Sequence, residues 1–139
     1  MTEVAELSAT EVALRELPLL KEYAAKMGDV AERLSSLLRR MAAGFSSDQV
    51  TDAVRVLCLH NALDEPVRKV AQGVSGLIEH SNLEYHLRAE LKLRLLEIEE
   101  HLRFSQTLTE LLVEALSRNR VLDSARKLAE RSGHYKAPF

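Results

Sequence analysis

Five histidines and one cysteine are spread through 139 residues, and their neighbours decide what chemistry is within reach. Glu79, His86, Glu90, Arg94, Glu97 and His101 recur at steps that hold them on one strip of a helix. Carboxylates and imidazoles at i, i+4 and i+7 are suitable ligands for a divalent metal inside a bundle. Such sites use Glu-x-x-His with further inward glutamates from other helices, whereas Glu97 and His101 are four apart and no other segment offers a matching set. The strip therefore reads as side-chain pairs, Glu90 with Arg94 and Glu97 with His101, and no metal or cofactor is expected. Cys58 stands alone among apolar residues, which excludes an intramolecular disulfide and points to a small buried hydrophobe. The glycines are scattered, so no phosphate-cradling loop is present. No Gly-x-Ser-x-Gly or Cys/His pairing nominates a nucleophile, and no catalytic residue is assigned.

Two short patterns point elsewhere. The run His60-Asn61-Ala62-Leu63-Asp64-Glu65-Pro66-Val67-Arg68-Lys69-Val70 resembles the histidine box of the dimerisation and phosphotransfer domain of sensor histidine kinases. The resemblance implies that His60 receives a phosphoryl group, that the acidic residues after it set its tautomer, and that a helical hairpin pairs with a partner chain. Pro66 lies six residues after His60 where that family usually has five, and Asn61 stands where it usually has an acid. Arg55-x4-His60 and Arg94-x6-His101 are similar to the Arg-x4–6-His signature of the HEPN family of small helical ribonucleases, which implies an Arg and a His acting on RNA from a dimer cleft.

The elements that must carry these residues are all helical. The longest pattern runs from Ser81 to Arg120, with Ser81-x-x-Glu84 as a capping box and a start at Asn82. Leu83, Leu87, Leu91, Leu95, Ile98, Leu102, Thr109, Leu112 and Leu116 share one face, which must be buried. Leu93, Leu96, Phe104 and Leu111 form a weaker second stripe, and a helix apolar on two flanks is central in a bundle or in a dimer. The segment is expected to be about twice as long as any other, roughly 55 Å at 1.5 Å per residue, and its second stripe to be covered by another chain.

Shorter helices are expected before it. Ser8 and Glu11 repeat the capping pattern, Pro18 predicts a break or kink, and Gly28 an end. Asp29 opens a helix that Gly44 stops, with Arg39 and Arg40 complementing its C-terminal dipole. Ser46 and Gln49 cap a strongly apolar helix, and Asp64-Glu65-Pro66 interrupts it and starts another. Gly73 and Gly76 inside that last helix suggest close approach to a neighbour. Asp123 caps a short final helix, and residues 1–10 and 133–139 are expected to be mobile. The expectation is one all-α domain, residues 1–139, a bundle of five to six helices built around the long one.

Composition agrees. Hydrophobic residues make up 46% and charged residues 29%, while aromatic content is 4% with no Trp, which suits a Leu/Ala-rich bundle. With 19 basic against 21 acidic residues the net charge is −2, too little to hold nucleic acid or an anionic membrane. No signal peptide and no run near the roughly 20 apolar residues of a membrane span is seen, so the cytoplasm is the expected compartment. The function this favours is binding of another protein by a regulatory, adaptor or chaperone-like module that also pairs with itself through Leu93, Leu96, Phe104 and Leu111. Phosphotransfer at His60 and ribonuclease action are the alternatives.

Overall fold

A computed structural model describes residues 8–44 and 46–131, and the expectations of mobility at the ends fall largely outside them. Four helices follow in order: α1 (Ala9–Met41), α2 (Ser47–His80), α3 (Tyr85–Arg118) and α4 (Leu122–Arg131). No strand occurs among the described residues. The all-α class is as expected, but the count is four helices and not five to six, because the expected breaks at Pro18, Gly28 and Pro66 do not happen. Nor is α3 twice the length of its neighbours: α1, α2 and α3 have 33, 34 and 34 residues, each about 50 Å long.

The reason is that the buried stripe outweighs local preference. In α1, Ala13, Leu17, Leu20, Ala24, Met27, Ala31, Leu34, Leu38 and Met41 recur at alternating steps of four and three straight past Pro18 and Gly28. A mid-helix proline costs about 3 kcal/mol, while burial of one Leu or Met side chain returns about 1.5–3 kcal/mol. Pro18 and Leu14, whose carbonyl loses its N–H donor, are both exposed, so water can serve that oxygen. In α2 the same logic carries Leu57, His60, Leu63, Val67, Val70, Val74 and Leu77 through Pro66, with Ala62 exposed four residues before it. Gly73 and Gly76 do not mark a close approach, since a Cβ on either would meet nothing within 4 Å. The close approach is at Gly28, where a Cβ would stand 3.3 Å from His101 Nε2.

Two caps form as the sequence suggests. Ser8 accepts from the Glu11 N–H, and Ser46 and Gln49 form a reciprocal capping box. The third does not. Ser81 ends α2, its carbonyl accepting from Arg88 Nη2 at 2.8 Å, and Glu84 caps α3 alone, its carboxylate taking the N–H groups of His86 and Leu87 at 3.0 Å each. Those two backbone donors hold the Glu84 carboxyl below its ordinary range. Asp123 lies in the first turn of α4, which begins at Leu122. Before it, Arg120 takes the left-handed conformation (φ 59°) and the Val121 N–H reaches back to the Leu116 carbonyl, a Schellman turn built on a non-glycine residue.

Short turns make α1, α2 and α3 run up, down and up, with the most extensive packing between the parallel pair α1 and α3. The core is in two parts. One joins the C-terminal half of α1, the N-terminal half of α2, the C-terminal half of α3 and α4, around Leu34, Leu37, Leu57, Leu112, Leu116, Ala125 and Ala129. The other joins the opposite halves of only three helices, around Leu20, Met27, Val67, Val74, Leu91 and Ile98. Leu63 packs against both. Hereafter these are the closed end, covered by α4, and the open end.

Candidate functional site

Two features remain once the core is accounted for: a polar layer between the two core regions and an apolar row on the outer face of α3. The layer is built from stripe positions. His60 occupies the step between Leu57 and Leu63, and Ser105 that between Leu102 and Thr109, so both side chains point inward. His60 Nε2 lies 3.0 Å from Ser105 Oγ, and both residues are buried. Ser105 Oγ also donates to the Leu102 carbonyl at 3.2 Å, which leaves the hydroxyl as acceptor and assigns the imidazole hydrogen to Nε2. Thr109 Oγ1, one turn on, is buried without a protein partner.

Burial pushes the His60 pKa below its usual value. Asp64, one turn further along α2, opposes that shift, but Arg68 acts the other way and binds both Asp64 oxygens, at 3.0 and 2.9 Å. The ring is neutral near pH 7 and is held as a structural donor. A phosphoryl donor must reach a ring nitrogen, yet only 6% of His60 is exposed and Nε2 is turned toward α3. The Arg-and-His pairs also stay apart. Arg55 is exposed beside Asp52 while His60 points inward. Arg94 is held by Glu90 and Glu97 at 3.7 and 2.9 Å, and His101 lies against Gly28, about 10 Å away along the helix.

Of the strip of acids and imidazoles, Glu79 falls on α2, and Glu90, Arg94 and Glu97 form an ion-pair chain on α3. Lys21 of α1 reaches Glu90 at 3.1 Å, and Arg94 links Glu90 to Glu97. Glu97 is thus paired with Arg94 and not with His101 as the spacing suggests. No group of three or more His, Cys, Asp or Glu side chains suited to a metal is found among the described residues. Cys58 is buried, and burial raises its thiol pKa.

The apolar row is the larger feature. Leu93, Leu96, Phe104 and Leu111 are 52, 56, 53 and 46% exposed. Only three other large apolar side chains among the described residues are exposed, and they are scattered: Leu14 on α1, Leu59 on α2 and Tyr85 at the start of α3. At 100° per residue the four fall within about 80° of arc on α3, opposite the buried stripe. Beside Leu96, a groove of about 500 Å³ runs between α2 and α3, with Ile78 and Leu95 among its lining and Arg88, Lys92 and Glu99 charged around it. No described helix is long and apolar enough to cross a membrane.

No family model matches the chain, and neither curated proteins nor solved structures yield a match.

Sequence reasoning singled out the α3 row and His60, and missed Ser105. The signal was there: Ser105 completes the three-and-four spacing between Leu102 and Thr109, but a serine in an apolar stripe is easily passed over as a weak stretch of helix.

Proposed function

We propose that the chain is a cytoplasmic protein-binding module of regulatory, adaptor or chaperone-like type, which pairs with a second copy of itself through the outer face of α3. The observation that carries this reading is the concentration of four half-exposed large apolar residues, Leu93, Leu96, Phe104 and Leu111, on one face of one helix. A row of this kind has no role in the core of its own chain, and large apolar side chains gathered on one exposed face mark an interaction site. The internal fate of the titratable groups supports it. His60 ties α2 to α3 through Ser105, Arg94 and Glu97 pair with each other within α3, and His60 does not converge with them on an open cavity.

The test is sedimentation equilibrium on the wild type and on Leu93→Glu with Leu111→Glu. The wild type is expected to show a concentration-dependent dimer, and the variant a monomer with unchanged far-ultraviolet helicity. A wild type that stays monomeric up to several hundred micromolar would remove the reading.

A further inference from the structure

The row of apolar residues is bordered on one side by four exposed charges: Lys92, Glu99, Arg103 and Glu110. They fall within about 40° of arc and so form a second, parallel row. Their order has a symmetry. Lys92 and Glu110 lie nine residues before and after His101, and Glu99 and Arg103 lie two before and after it. At each symmetric position the two charges are of opposite sign.

That is the pattern an antiparallel two-fold pairing requires. Such an axis, crossing the helix at right angles, carries a residue n places before the centre onto one n places after it, and keeps each flank against the same flank of the other copy. A two-fold parallel to the helix would set Lys92 level with its own copy and use none of this complementarity. The apolar row fits the same centre. Leu93 lies eight residues before His101 and Leu111 ten after, so in the antiparallel pair they come within about 3 Å of each other along the axis. Glu100 falls within the apolar row, one residue from the centre, so the pairing sets it about 3 Å along the axis from its own copy and about 1.5 Å from the Arg103 of the second copy, which offsets the like charge.

The charges are also free to pair. Among the described residues Lys92, Glu99 and Arg103 have no ion-pair partner, and Glu110 takes only the Gln106 amide at 3.3 Å. Glu99 and Arg103 stand at the i,i+4 spacing that closes at Glu22–Lys26, Asp29–Arg33, Asp64–Arg68 and Glu65–Lys69, yet theirs stays open.

We infer that the second copy docks antiparallel on the outer face of α3 with the two-fold axis at the level of His101, so that Lys92 faces Glu110 and Glu99 faces Arg103 across the interface. This rests on the homodimer reading above and adds its orientation and register. From Lys92 to Glu110 the strip is about 27 Å long, and at a helix width of about 10–12 Å it presents on the order of 300 Å² per copy. A standard interface buries roughly 800 Å² per partner, so the dimer is weak and forms in the micromolar range or above.

Two charge variants test the register. Lys92→Glu with Arg103→Glu makes the row wholly acidic, and Glu99→Lys with Glu110→Lys makes it wholly basic. Sedimentation velocity is expected to show each variant alone dissociating at least tenfold more readily than the wild type. An equimolar mixture is expected to recover a one-to-one heterodimer at least as tight as the wild-type dimer. If either swap loses helicity, the neutral pair Lys92→Gln with Arg103→Gln and Glu99→Gln with Glu110→Gln replaces it, with the same preference for the mixed dimer at smaller amplitude. A dimer that Leu93→Glu with Leu111→Glu dissolves but the charge variants leave untouched would overturn the register and spare the homodimer. A monomeric wild type would overturn both.

Discussion

The closed and open ends of the bundle are made from the same three helices, yet they are covered differently. At the closed end α2 is wrapped by α1, α3 and α4, and Ala53, Val54, Val56, Leu57 and Cys58 are all buried, over a little more than half of the helix circumference. At the open end only Val67, Val74 and Ile78 are fully buried on α2, and Val70, Ala71 and Leu77 are partly covered. Ten residues of α4, which contribute little more than Ala125, Ala129 and the half-buried Leu128 to the core, account for the difference. The lesson is that a short amphipathic helix can turn a three-helix seam into a four-helix core over half the length of a bundle. The other half is left with a groove between α2 and α3.

If coverage sets local stability, Leu57→Ala at the closed end should cost the most, about 3–5 kcal/mol, and Leu91→Ala at the open end about 2–3 kcal/mol, both read from urea midpoints. Both side chains are fully buried, so equal costs would show that α4 adds no rigidity. Next in size is the polar layer between the ends. Ser105→Ala leaves His60 Nε2 without its partner and should cost about 1–3 kcal/mol, whereas His60→Leu with Ser105→Ala should recover most of that loss. A double variant as unstable as the single would mean that the layer is held by something other than this hydrogen bond.

The same layer predicts a pH dependence. The folded state holds His60 below its unfolded pKa, so the unfolded chain binds more protons in the window between the two values. Stability is full above about pH 6.5 and falls as the pH drops through that value toward the folded pKa. His60→Leu should flatten this part of the profile. The smallest effect is expected at the turn into α4. Arg120→Gly relieves a left-handed residue and should raise stability by about 1 kcal/mol, seen as slower amide exchange in α4 and the C-terminal turns of α3.

The sequence carried the stripes of all three long helices and the caps at Ser8 and Ser46, because these depend on spacing and on neighbours three residues away. It misled at Pro18, Gly28 and Pro66, where a local preference of a few kcal/mol competes with long-range burial that no window of sequence displays. Ser81 illustrates the same point at a cap: the pattern with Glu84 is present, but the chain uses Ser81 to end α2. The exposed row on α3 was readable as the complement of the buried stripe. The pairing of His60 with Ser105 was not, since it joins residues 45 positions apart whose meeting depends on the register of two helices.

The lone cysteine gives the closed end a chemical clock. Cys58 sits in that core and is 6% exposed, and its raised pKa keeps it in the unreactive thiol form. A thiol reagent can modify it only when this end breathes. Because no other sulfhydryl competes in the chain, the labelling rate of the unaltered protein, divided by that of the denatured chain, reads the opening equilibrium of the α4-covered half directly.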